Sequence, residues 1–176
     1  IPEINHAHLG LIDVQRQKRG FGKGYIVTNP NCAILSFAPP LAAINDRFGI
    51  ESVFVTTFQA VSGAGYPGVP SLDIMDNVLP YIAGEEPKVE TEAQKILGKF
   101  DGQHIEKADF LVSAQCFRVG VLDGHTASVR VKLRNTSTLE EVREAIATYP
   151  RLDLYSSPNP FMYVTDEPDR PQPRLD

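Results

Sequence analysis

The segment from Glu51 to Val61 limits the possible folds of this chain more than any other. Val53, Val55, Thr57 and Gln59 recur with a period of two and so share one face of an extended strand. The segment then runs into Ser62-Gly63-Ala64-Gly65-Tyr66-Pro67-Gly68-Val69-Pro70, where glycine and proline are too dense for regular structure. A buried strand ending in an irregular loop needs partner strands, and the sequence offers several. Tyr25 to Thr28, Asp109 to Arg118, His125 to Arg134 and Phe161 to Val164 are β-branched or aromatic runs that predict strands.

Helices are predicted between them. Ala33 to Phe48 is an apolar stretch closed by Gly49, with Pro39-Pro40 set to kink or divide it. Ser71 caps a helix over Leu72 to Leu79, and Thr91 to Leu97 forms another that ends at Gly98. Thr138 caps Leu139 to Thr148, whose early turns hold Glu140, Glu141 and Glu144. Residues Ile1 to Gln17 read as a loop or weak helical turn, and the Pro-rich, charged tail from Glu167 as poorly ordered. The long strands are not separated by regular crossover helices. The expected fold is therefore α+β, a mixed and largely antiparallel sheet with helices on one face. A second subunit is the natural cover for the other face.

At 176 residues the chain suits one domain with a full core. A formal net charge of -5 argues against a nucleic-acid backbone as partner, and the short basic stretch Arg16, Lys18, Arg19, Lys23 reads as a solvated loop. No apolar run is long enough to span a bilayer. The two cysteines, Cys32 and Cys116, lack a CxxC or His spacing for zinc, and two free thiols suit a reducing cytoplasmic setting. The glycine run Gly20 to Gly24 precedes a predicted strand instead of following one, so it is not a phosphate loop.

Cys32 follows Asn29-Pro30-Asn31 and precedes an apolar helix, whose free N–H groups and dipole would favour a thiolate. On position alone it reads equally as a small core hydrophobe. Cys116, within an apolar strand pattern, reads as core. His125 follows the turn Asp123-Gly124 and opens a strand, where an imidazole can relay protons. Arg118 is seven residues earlier, which would put it at the facing end of an adjacent strand, suited to a carboxylate or phosphate. Glu85-Glu86-Pro87-Lys88 reads as a solvent-exposed charged turn.

The motifs Thr28-Asn29-Pro30-Asn31-Cys32, Thr57 to Gly68 and His125-Thr126-Ala127-Ser128-Val129 together resemble aspartate-semialdehyde dehydrogenases of the archaeal and fungal branch, in order along nearly the whole chain. The resemblance implies the glyceraldehyde-3-phosphate-dehydrogenase-like C-terminal domain fold for residues 1–176, acting as catalytic and dimerisation domain. It also implies roles: Cys32 as nucleophile, His125 as acid/base, and Gln59 as the glutamine that orients the substrate. Arg118 would bind the substrate carboxylate. Asn31, Glu85 and Lys88 would complete the substrate site, Glu85 and Lys88 as a Glu-x-x-Lys pair whose register Glu86 leaves open. Ser62 and Gly63 would approach the nicotinamide of NADP. The implied reaction is reductive dephosphorylation of β-aspartyl phosphate through a thioester, in methionine, threonine and isoleucine biosynthesis. The helix-start N–H near Cys32 would stabilise developing oxygen charge. Partners would be the small substrate, phosphate and further copies of the chain as a dimer or tetramer, with no nucleic acid, membrane or metal. Ile1-Pro2-Glu3 resembles the interior of a longer chain, so the expectation is that the NADP-binding Rossmann domain and a C-terminal helix lie outside this sequence. Malonyl-CoA reductase on the same scaffold, or a non-catalytic dimerisation module, are the alternatives.

Overall fold

A computed structural model describes residues 1–176. Five helices or turns and the loop before Cys32 lead to the main sheet: α1 (Pro2–Asn5), a 3-10 turn (His6–Gly10), α2 (Leu11–Arg19), α3 (Cys32–Leu35) and α4 (Ala38–Phe48). They are followed by β1 (Ile50–Gln59), a 3-10 turn (Val61–Ala64), α5 (Ser71–Ile74), β2 (Val78–Leu79) and α6 (Glu85–Ile96). The remainder comprises β3 (Lys99–Phe100), β4 (Ile105–Glu106), β5 (Leu111–Val119), β6 (Thr126–Leu133) and α7 (Leu139–Ala147).

The main sheet has the order β2-β5-β1-β6. β1 runs parallel to β5 and antiparallel to β6, and β2 runs antiparallel to β5, so the sheet is mixed as expected. The predicted face of β1 is the buried one: Val53, Val55, Thr57 and Gln59 all lie inside. With Ala114 and Cys116 of β5 they meet Leu41, Ile44 and Phe48 of α4, Val89, Ala93 and Ile96 of α6, and Ala145 of α7. All these helices cover one face. On the other, Phe54 is 58% exposed and Phe58 stacks on Phe117 with ring centroids 6.0 Å apart.

Several expectations are corrected. Tyr25 to Thr28 joins no sheet; its strand-like bonds come from the Gln15 amide, which donates to Ile26 O and accepts from Ile26 N. Phe161 to Val164 is irregular, with Phe161 packed on Tyr149 instead of on a strand. The helix expected over Leu72 to Leu79 stops at Ile74, and Val78–Leu79 pairs with the end of β5. The N-terminal segment is mainly helical, so Arg16, Lys18 and Arg19 occupy the last turn of α2, where basic side chains favour the dipole. Gly20 closes that helix at φ 66, a left-handed conformation that glycine adopts freely. The stretch 33–48 divides into α3 and α4 just before Pro39, which occupies the first turn of α4. The helix expected at Thr91 begins instead at Glu85.

Candidate active site

The sulfur of Cys32 lies 3.2 Å from His125 Nε2, although the two residues are 93 positions apart. Cys32 is the first residue of α3, and Asn31 caps that helix by accepting the Ala33 N–H at 2.9 Å. A helix of four residues supplies little dipole, so the polar partner next to the sulfur is the imidazole. The flanking amides are also committed. Ala33 N–H goes to the Asn31 side chain and Asn31 N–H to Glu92 Oε2 at 2.9 Å, which leaves the N–H of Cys32 itself, the first of the helix, as the one to which the oxyanion expectation applies.

His125 accepts the backbone N–H of Ala60 at Nδ1, 3.1 Å away. An amide nitrogen can only donate, so the neutral ring carries its proton on Nε2, facing the sulfur. Burial, and then the positive charge of Arg118, lower the pKa of His125 below the ordinary imidazole value, with Glu85 acting in the opposite direction.

Arg118 and His125 do not sit on adjacent strands as expected, because β1 lies between β5 and β6. The register nevertheless brings them to one end of the sheet. Arg118 pairs with Gln59 in the β5–β1 ladder, and Phe58 pairs with Thr126, the neighbour of His125. The 3-10 turn after β1 is tied to the β5–β6 connection by Val61 N to Val121 O at 2.8 Å and Ser62 N to Leu122 O at 3.1 Å. Gly63 in this turn is held against the site. A Cβ there would stand 2.8 Å from His125 Cε1 and 3.0 Å from Arg118 Nη1, so any larger residue would displace the imidazole or the guanidinium.

Arg118 is only 6% exposed and donates Nη1 to Ala60 O at 2.7 Å, yet it forms no salt bridge within the chain. A buried guanidinium without a carboxylate is costly unless an anion joins it. Gln59 donates Nε2 to Glu85 Oε1 at 3.0 Å, and the same oxygen receives Asn31 Nδ2 at 2.7 Å. Glu85, 8% exposed, is therefore a buried link between the cysteine turn and β1, not part of a solvated turn. Glu86 faces elsewhere and accepts Cys116 N–H at 3.2 Å, which leaves Glu85 as the acidic residue at the site. Lys88 is exposed one turn along α6. Cys116 is fully buried, as its strand pattern predicts. Sequence reasoning missed Glu92, since a lone acidic residue in a helix carries no signal of its distant partner. No group of three or more His, Cys, Asp or Glu side chains is arranged to hold a metal.

Fold and site together mark out a class: an α+β domain in which an exposed cysteine sulfur meets a histidine ring beside a buried arginine that has no carboxylate partner. The family model described as semialdehyde dehydrogenase, dimerisation domain, matches residues 41–176. The chain is 53% identical to the aspartate-semialdehyde dehydrogenase of Archaeoglobus fulgidus over 176 residues, covering all of this chain and 51% of that protein. It is 51% identical to that of Aspergillus fumigatus over 186 residues, again covering all of this chain and 51% of the relative. Among solved structures, aspartate semialdehyde dehydrogenase with NADP from Candida albicans superposes with a TM-score of 0.86 at 36% identity, covering all of this chain and 52% of that one. The chain belongs to the semialdehyde dehydrogenase family and has the α+β fold of its glyceraldehyde-3-phosphate-dehydrogenase-like C-terminal domain. It spans about half the length of these relatives.

Proposed function

We propose that this chain is the catalytic and dimerisation part of an NADP-dependent aspartate-semialdehyde dehydrogenase, which reductively dephosphorylates β-aspartyl phosphate. The observation that carries this reading is the 3.2 Å approach of Cys32 Sγ to His125 Nε2 beside the unpaired Arg118. The sulfur attacks the β-acyl carbon as a thiolate that accepts the Nε2–H bond, and the tetrahedral intermediate expels phosphate, which takes its proton from solvent, to leave a thioester on Cys32. Arg118 holds the α-carboxylate, Lys88 meets the phosphate, and Gln59, Glu85 and Asn31 align the remainder, which converts binding into orientation. NADP in its reduced form supplies hydride to the thioester carbon when bound. His125 keeps its proton at Nε2 and stabilises the sulfur as it departs from the product aldehyde.

The part of the cofactor site within this chain is the turn at Ser62 and Gly63. The absence of a Cβ at Gly63 lets this exposed turn lie directly over His125, as a nicotinamide-facing wall requires. Most NADP contacts fall to a separate Rossmann domain. The open sheet face with Phe54, Phe58 and Phe117 supports self-association as a dimer or tetramer, and the full enzyme would work in the cytoplasm in methionine, threonine and isoleucine biosynthesis. No helix of the chain is long and apolar enough to cross a membrane.

Cys32→Ser in the full-length enzyme tests the proposal. Phosphate-dependent oxidation of aspartate semialdehyde should fall at least ~10³-fold, the scale expected on losing an activated nucleophile. Activity within tenfold of the parent would reject Cys32 as nucleophile and leave the non-catalytic reading.

A further inference from the structure

The reaction needs Cys32 held still, yet the segment leading to it has no secondary structure of its own. From Phe21 to Asn31 the backbone joins no helix or sheet. Its tethers outside Asn31 are the Phe21 N–H to Arg16 O bond that ends α2 and the exposed bonds from Gln15 to Ile26 and from Arg16 to Lys23 and Gly24. Asn31 itself is fixed at three points. Its side-chain oxygen caps Ala33 at 2.9 Å, its Nδ2 donates to Glu85 at 2.7 Å, and its backbone N–H donates to Glu92 Oε2 at 2.9 Å.

Both carboxylates come from α6. They stand seven residues apart, two helical turns, and so project from one face of the helix. Glu85 also touches Gln59 and belongs to the substrate site described above. Glu92 makes no hydrogen bond to Cys32, His125, Arg118 or Gln59, and its side chain bonds instead to the Asn31 amide, 61 residues away. A half-buried carboxylate accepting a backbone N–H makes a charge-assisted bond, short and directional. It fixes the main chain where the capping side chain cannot, one residue before the sulfur.

We propose that Glu92 is a positioning residue for catalysis, holding the nucleophile turn to α6 through the Asn31 N–H so that Cys32 Sγ stays within bonding distance of His125. The proposal rests on Cys32 being the nucleophile. The two side-chain bonds fix the Asn31 amide group, whereas the Glu92 bond sets the direction of the Pro30–Asn31 peptide, the one just before the peptide that enters Cys32. Displacements of about 1 Å at a reacting atom can cost ~100-fold in rate.

The test uses the full-length enzyme with Glu92→Ala, Glu92→Gln and Glu92→Asp, and Cys32→Ser alongside. Glu92→Ala should lower kcat ~10-fold or more with KM for phosphate and aldehyde within about twofold. The rate of Cys32 alkylation, followed by mass spectrometry of the labelled peptide, should shift with kcat. Glu92→Gln keeps an acceptor oxygen at the same reach and should restore most of kcat. Glu92→Asp is shorter by one methylene and should not. If Glu92→Ala does not fold, the Gln and Asp variants decide. Higher kcat for Gln than for Asp supports the proposal, and equal kcat overturns it. Full kcat and unchanged alkylation in Glu92→Ala would also overturn it. An active Cys32→Ser would instead remove the nucleophile reading beneath it.

Discussion

His125 shows how little of a residue's behaviour is set by its identity. The Ala60 amide dictates the tautomer, and burial together with Arg118 opposes the imidazolium. A depressed pKa in the folded state means that, above the unfolded value of 6.5, both states hold a neutral ring and the full stability is present. As pH falls from 6.5 through the folded value, the unfolded chain binds a proton that the folded one resists, and stability drops. Full-length protein should therefore lose more stability between pH 7.5 and 5.5 than its His125→Asn variant, measured by urea denaturation. Parallel losses would show that the ring titrates normally. The acid limb of kcat/KM should likewise lie below pH 6.5.

Among the elements, α6 organises the site. Val89, Ala93 and Ile96 enter the core, Glu85 and Glu92 grip the cysteine turn, and a third row faces β5. There Glu86 accepts Cys116 N–H at 3.2 Å, Glu90 accepts Ala114 N–H at 3.1 Å, and Gln94 donates to Phe110 O at 2.8 Å. The spacing of four lays these side chains along the strand edge that the two-residue β2 leaves unpaired. Glu90→Ala should cost about 1 kcal/mol, seen as a lower urea midpoint at unchanged slope. An unmoved midpoint would mean water replaces the carboxylate without loss. The start of this helix was illegible because Glu85-Glu86-Pro87-Lys88 resembles a turn. Proline is tolerated in a first turn, and the apolar spacing of Val89, Ala93 and Ile96 was the available signal. At α7 the signal was complete: Thr138 and Glu141 form the reciprocal capping box, and the helix begins at Leu139 as predicted.

Across the whole molecule, the sheet is covered on one side only. Helices pack on the Val53, Val55, Thr57 and Gln59 face, while Phe54, Phe58 and Leu111 remain exposed on the other. An aromatic surface of this kind on a twisted sheet is suited to a second copy of itself. Placing a charge there with Phe58→Glu should weaken self-association of the full-length protein, read as a lower sedimentation coefficient at equal concentration. An unchanged coefficient would move the interface elsewhere.

The sequence by itself determined the alternation of β1, the mixed α+β class, the capping of α7 and, through its linked motifs, the family to which the chain belongs. These are local properties, fixed by side-chain spacing and backbone preference over a few residues. Only the tertiary structure decided that β1 lies between β5 and β6, that Tyr25 to Thr28 finds no strand partner, and that Glu85 and Glu92 hold Asn31 from across the core. Those outcomes depend on which surfaces and hydrogen-bonding groups meet over long separations in sequence, and no local pattern encodes that meeting.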